Sequence, residues 1–343
     1  MPAAALRCLL LLGLLLPPAA LHARGTLHRA DLGRCPLDGG AVLDPCLVGY
    51  RTFGTLDAGR TNAILFPTWF TGTSEQLIGQ LGDGGLVDTT RFFVVLVDAL
   101  GNGVSTSPSN SPTQAGEAFP TITIGDMVRA QARLATEVLG LERLHAVMGI
   151  SMGGMQALHW MVAYPGRVDR VVSIVGTPAQ TGADRLLWTA QLEAIDAIGA
   201  IAGGEAAEAE VLEAVAAMQA YALTTPAHLA AMPPEAFHTY LADQQSATLR
   251  FDAYDRAAQL RAMLAHDIYA ATGLTPDTIA DRVRARVLIV VARQDHMVNP
   301  APALALASQI DAATLVLPGP CGHLAPGCEG ETMRPVVRAF LER

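Results

Sequence analysis

Lysine is absent from this 343-residue chain: all 23 residues of the Lys+Arg class are arginines. Without a lysine no Schiff base can form, which excludes pyridoxal-phosphate enzymes and lysine aldolases. A Walker A phosphate loop and the ATP-pairing lysine of protein kinases are excluded for the same reason. Charge of either sign is sparse, at 16% of residues, and the balance is acidic, with a net charge of −9. Nucleic acid and anionic membranes call for a basic surface, so neither is an expected partner. There is no GxGxxG fingerprint, no metal-ligand cluster and no paired-carboxylate glycosidase pattern, so neither metal nor cofactor is expected. Aromatics are scarce, at 5%, so the 51% hydrophobic content is mostly aliphatic. The chain is long enough to bury a sizeable core as one large domain, or as a core domain with an insert.

Arg7 precedes a leucine-rich run from Leu9 to Leu16, then Pro17, Pro18 and small residues up to Ala23. That order reads as a secretory signal peptide over residues 1–23, the apolar run being short for a bilayer span. An uncleaved anchor or a misplaced start codon is the alternative. The expectation is export, periplasmic or secreted, with no stable membrane anchor after cleavage. Cys8 leaves with the leader, and Cys35, Cys46, Cys321 and Cys328 remain. An even count in an exported chain points to two disulfides. Three pairings exist; the local ones, Cys35–Cys46 and Cys321–Cys328, are favoured, with free buried thiols as the alternative. Neither pair has the short spacing of a zinc knuckle.

Leu47–Phe53, Asn62–Pro67, Arg91–Val97, Leu144–Gly149, Arg170–Val175, Arg286–Val291 and Thr314–Leu317 read as extended or buried strands. Helical periodicity covers Thr123–Gly140, with Asp126 in the first turn, and Ser151–Tyr164. Residues 101–120, rich in Gly, Ser, Asn and Pro, form a loop. Such alternation implies a parallel sheet with helices on both faces. Residues 178–270 differ: they are alanine-rich, helix-like and without a convincing strand, and read as an inserted helical cap. The expected division is a leader at 1–23, a core at 24–177 and 271–343, and the cap at 178–270.

The strongest chemical signal is Gly149-Ile150-Ser151-Met152-Gly153-Gly154, which follows an apolar strand and opens a helix. A nucleophile elbow needs this context, with small residues two before and two after the serine, here Gly149 and Gly153. The helix N-terminus would aim N–H groups where an oxyanion forms. A serine hydroxyl needs a base, and the acid and base follow in the order Asp, His. Asp295 ends RVLIVVARQD and His323 lies just after TLVLP, both at carboxyl ends of expected strands. His323 would accept the Ser151 proton and Asp295 would orient His323. A plain turn role for Asp295 is the competing reading. The second oxyanion donor is expected in Pro67-Thr68-Trp69-Phe70-Thr71-Gly72, which makes the Phe70 and Met152 N–H groups the pair. Met148, Met152, Met155 and Met161 read as packing residues.

From about Val48 onward the chain resembles the homoserine O-acetyltransferase family of the α/β-hydrolase superfamily. YRTFGTLDAGRTNAILF, PTWFTGT, TIGDMVRAQARLATEVLGLERLHAV and above all GISMGGMQALHW carry the resemblance. The Ala265–Asp267 end of the helical insert also fits. The resemblance implies an α/β-hydrolase fold, mostly parallel with a helical cap, and an acyl-serine at Ser151 with Asp295 and His323 completing a triad. It also implies an arginine in the first cap helix for the homoserine carboxylate and an aspartate after the histidine. Leu192 and Leu324 stand at those acceptor-pocket positions, with Arg185 one or two turns from the first. Each lost charge-assisted hydrogen bond is worth about 1.5–3 kcal/mol. Water therefore replaces homoserine as the expected acceptor. The expected function is an exported serine carboxylic ester hydrolase for small, relatively apolar acyl esters. The alternatives are an O-acetyltransferase from acetyl-CoA to homoserine or another hydroxyl, and an inactive binding module. The expected partner is a small-molecule ester, and a homodimer is compatible with the sequence.

Overall fold

The computed structural model describes residues 25–197 and 205–343, so the expected leader lies outside the described residues. The strands are β1 (His28–Asp31), β2 (Cys35–Pro36), β3 (Val42–Leu43), β4 (Leu47–Phe53), β5 (Ala63–Pro67), β6 (Phe93–Val97), β7 (Leu144–Ile150), β8 (Val168–Ile174), β9 (Arg286–Ala292) and β10 (Ala313–Leu317). The core helices are α1 (Ser74–Leu77), α2 (Ile124–Arg133) and α3 (Met152–Ala163). Between β8 and β9 follow α4 (Gly182–Asp196), α5 (Glu205–Leu223), α6 (Pro226–Ala230), α7 (Phe237–Leu249), α8 (Ala253–Leu264), α9 (Ile268–Thr272) and α10 (Ile279–Arg282). The chain ends with α11 (Ala301–Gln309), α12 (Ala325–Cys328) and α13 (Gly330–Glu342).

Eight strands form one sheet in the order β1-β4-β6-β5-β7-β8-β9-β10. β1 and β4 run antiparallel at one edge, and the pairs from β6 to β10 are parallel. β5 (AILFP) is buried throughout, as a strand covered on both faces must be. Its side chains alternate: Ala63 and Leu65 join the core under α2 and α3, and Ile64 and Phe66 join the core under α13. The expected strands agree with these to within two residues at each end. β1 and the β2–β3 hairpin were not anticipated; each is too short to show a period.

α2 starts on a capping box in which Thr123 Oγ1 accepts from the Asp126 N–H and the Asp126 carboxylate accepts from the Thr123 N–H. Its last turn, Leu134–Val138, widens to a π-helix before Gly140 at φ +63°. Trp160 on α3 is fully buried, which removes enough surface to contribute roughly 4–6 kcal/mol. Its indole N–H donates to Gln131 Oε1 on α2 at 2.8 Å, so that burial leaves no orphaned donor.

The excursion between β8 and β9 contains no named strand among the described residues and leaves and returns at one place. Ala179 bridges to Asp267, and the Ile268 N–H donates to the Pro178 carbonyl at 3.0 Å. These contacts join residues near both ends of the segment expected to form a cap. No helix among the described residues is long and apolar enough to cross a membrane.

Candidate active site

β7 turns directly into α3, and Ser151 occupies the turn at φ 56°, ψ −123°. A non-glycine residue there costs of order 1–3 kcal/mol, so the surroundings must hold it. They do so first through the Ser151 N–H, which donates to the Ile174 carbonyl of β8 at 2.8 Å. The glycines do the rest. A Cβ on Gly149 would lie 2.1 Å from the Gly153 carbonyl, and one on Gly153 would lie 2.6 Å from the Pro67 carbonyl. The close turn and the approach of α3 to the end of β5 both require hydrogen at these positions.

The parallel strands bring the later residues to the same edge. His323 Nε2 lies 2.8 Å from Ser151 Oγ, and His323 Nδ1 lies 2.7 Å from Asp295 Oδ2. Asp295 and His323 are both buried. Asp295 divides its oxygens: Oδ1 accepts from the Met297 and Val298 N–H groups at 3.0 and 2.9 Å, leaving Oδ2 for the histidine. The turn role and the histidine-orienting geometry thus coexist in one side chain. The disulfides link Cys35 to Cys46 (S–S 2.07 Å) and Cys321 to Cys328 (2.14 Å). The second closes a short loop around His323.

The loop after β5 faces the N-terminus of α3. Thr68 N–H donates to the Val97 carbonyl, Thr71 N–H to Gln259 Oε1 and Gly72 N–H to the Trp69 carbonyl. Neither Phe70 N–H nor Met152 N–H donates to a partner among the described residues. A buried amide chain sets the spacing between the two: Gln131 Nε2 donates to Gln156 Oε1 at 2.6 Å, and Gln156 Nε2 to the Thr68 and Met152 carbonyls at 3.0 and 3.1 Å. The Met148, Met152, Met155 and Met161 side chains are fully buried in the core.

A cavity of about 700 Å³ opens above Ser151 and His323, with Phe70, Trp69, Met297 and Leu324 in its walls. Of the two leucines expected to line an acceptor pocket, Leu324 lines this cavity and Leu192 is not among its lining residues; Leu192, on α4, packs half-buried against the core. No group of three or more His, Cys, Asp or Glu among the described residues is placed to hold a metal ion.

Three residues at the site carried no sequence signal. Gln259 and Arg256 on α8 reach the loop after β5, Gln259 through Thr71 and Arg256 by stacking its guanidinium 5.3 Å from the Phe70 ring centroid. Gln219 on α5 lines the cavity. Their one trace in sequence is polarity on helix faces that are otherwise alanine and leucine.

Residues 64–197 match the family model described as the alpha/beta hydrolase fold. A probable esterase of Corynebacterium glutamicum is 36% identical over 185 residues, 53% of each chain. A homoserine O-acetyltransferase of Geotalea daltonii is 42% identical over 160 residues, 41% of this chain and 43% of that one. The matched stretch spans about half the length or less of these curated relatives. A solved acetylester hydrolase from Corynebacterium glutamicum superposes with a TM-score of 0.85 and 27% identity, covering 93% of this chain and 97% of that one. The chain thus has the α/β-hydrolase fold, and its relatives in sequence are esterases and homoserine O-acetyltransferases.

Proposed function

We propose that this protein is a serine-dependent acyl-transfer enzyme, a carboxylic ester hydrolase that acts on small acyl esters through an acyl-Ser151 intermediate. One observation carries the reading: the unbroken relay Asp295–His323–Ser151, at 2.7 and 2.8 Å, opening on a cavity of about 700 Å³. Ser151 Oγ attacks the ester carbonyl carbon as its proton passes to His323 Nε2. Negative charge develops on the carbonyl oxygen and is met by the Phe70 and Met152 N–H groups and the N-terminus of α3. The tetrahedral adduct then collapses, the alcohol leaves with the proton from His323, and the acyl group stays on Ser151. Water repeats the sequence and releases the acid. Asp295 holds His323 in the tautomer that keeps Nε2 free to accept, and stabilises the imidazolium.

In this reading residues 178–270 act as a cap. Thr225, just before α6, donates to the Pro320 carbonyl at 2.5 Å, next to the histidine loop, while α8 holds the oxyanion loop. The leader at residues 1–23 sends the chain out of the cytoplasm, where the two disulfides are stable. Leu324 beside His323 offers no carboxylate to the ammonium group of a zwitterionic acceptor, which favours water over homoserine.

The test is a panel of p-nitrophenyl esters, and acetyl-CoA with hydroxyl acceptors, with Ser151→Ala as control. Ester hydrolysis that Ser151→Ala abolishes is expected. Homoserine-dependent thiol release from acetyl-CoA, faster than the reaction with water, would assign the protein to the transferases. Failure of folded protein to label with a fluorophosphonate would make it a binding module.

A further inference from the structure

Arg256, in the first turn of α8, is 1% exposed. Nη1 donates to Gln219 Oε1 at 2.6 Å, and Nε has no hydrogen-bond partner among the described residues. No carboxylate of those residues pairs with it. Burial alone acts on the guanidinium and lowers its pKa to about 10, so it stays charged at neutral pH. A fully buried arginine ordinarily has a carboxylate partner, because an unmatched charge in the interior is costly. Here the protein supplies an aromatic face and one amide oxygen.

Gln219 connects this charge to the active-site cavity. It is half-buried and lies in the same wall as Leu223. A guanidinium only donates, so the amide must turn its carbonyl toward Arg256. The Nε2 end, with two hydrogens to give, is left for the cavity. The surrounding wall, including Trp69, Met297 and Leu324, offers it no competing acceptor among the hydrogen bonds of the described residues.

We propose that Gln219 and Arg256 form a carboxylate-binding subsite of this cavity, and that the preferred substrates are esters bearing a carboxylate on the acyl or the alcohol side. Gln219 Nε2 donates to a carboxylate oxygen. The guanidinium behind it supplies the missing counter-charge and polarises the amide that makes the contact. The subsite rests on the acyl-serine reading of the same cavity and refines the expectation of apolar esters: one wall is built for charge.

Matched esters test it. Phenyl hemisuccinate against phenyl succinamate probes the acyl side, and 3-acetoxypropanoate against 3-acetoxypropanamide probes the alcohol side. In at least one pair the carboxylate should exceed its neutral amide by about tenfold or more in kcat/KM. Gln219→Leu should bring that ratio close to one. Gln219→Glu places a protein carboxylate against Arg256, so the ratio should invert while the melting temperature holds or rises. Ratios within about twofold in both wild-type pairs, or a preference unchanged in Gln219→Glu, would overturn the subsite. Turnover that persists in Ser151→Ala would instead overturn the acyl-serine reading. Succinate reports on the subsite without turnover: it should raise the melting temperature of the wild-type protein and leave that of Gln219→Glu unmoved, and no shift in the wild type counts against the proposal.

Discussion

Gly153 is where α3 leans on the loop after β5, and adding one methyl group there tests how the site is spaced. An alanine Cβ at Gly153 would sit 2.6 Å from the Pro67 carbonyl oxygen and 3.4 Å from that of Thr68. Close carbon–oxygen contacts stop at about 3.3 Å, so the first overlap is about 0.7 Å. Neither side can swing clear, since both are backbone. The loop is tied by the Thr68 N–H to Val97 and by Gln156 Nε2 to the Thr68 carbonyl at 3.0 Å. Helix and loop must therefore separate by several tenths of an ångström, at a cost of about 1–3 kcal/mol. That shift parts the Phe70 and Met152 N–H groups, the proposed oxyanion donors, and one such donor is worth about 10²–10³ in kcat. Gly153→Ala is expected to melt several degrees lower and to lose about 100-fold or more in kcat on p-nitrophenyl acetate, with a smaller change in KM. Steady-state release of p-nitrophenol alongside a far-UV melt reads both. A folded variant with kcat within about threefold of wild type would refute the spacing argument.

Asp295→Asn can keep the turn to Met297 and Val298 but offers an N–H to His323 Nδ1, which favours the wrong tautomer. Its kcat should fall by about 10³–10⁴ with folding intact, and near-wild-type turnover would contradict the role given to Asp295. Removing the Cys321–Cys328 bridge with paired serines frees the loop that carries His323. With a sequence separation of 7, chain entropy gives a stability loss of about 2.5 kcal/mol, and kcat should drop as the histidine loses its position. Denaturant midpoints and turnover unchanged by the substitutions would count against it. Burial holds His159 and His266 neutral, with pKa values near 4 and 3. The unfolded chain binds their protons more readily, so their stabilising contribution is full above about pH 6.5 and is lost as pH falls toward 4. The loss is about 1.4 kcal/mol per pH unit per histidine. Asp255, raised by burial to about 6, acts in the opposite sense, its penalty easing as pH falls from about 6 toward 3.8. Urea unfolding of wild type and His159→Asn at pH 5 and 7 isolates the histidine, and equal slopes for the two proteins would exclude it.

Much of the site was legible because its signals are local. The elbow is six consecutive residues between a strand and a helix, and its glycines are required by contacts within that turn or with the adjacent strand. Asp295 and His323 could be placed because parallel strands deliver their carboxyl ends to one edge. The contacts to α5 and α8 were illegible for the opposite reason. Gln259 meets Thr71 across 188 positions and Arg256 meets Gln219 across 37, and no periodicity marks either meeting. The amide chain from Trp160 through Gln131 and Gln156 to Thr68 is hidden likewise, because each glutamine reads as a surface residue until its helix is packed. Leu192 shows the limit of carrying a family position into a helical insert: helix α4 turns it toward the core rather than toward the cavity.

The central claim is a covalent acyl group on Ser151, and rapid mixing with p-nitrophenyl acetate followed by peptide mass analysis addresses it directly. The account predicts a burst of p-nitrophenol approaching one equivalent per site whenever deacylation is slower than acylation. At acidic quench it predicts an acetyl group on the peptide containing Ser151, absent from Ser151→Ala along with turnover. Wild-type turnover retained in Ser151→Ala, or acetyl carried on another residue, would contradict it.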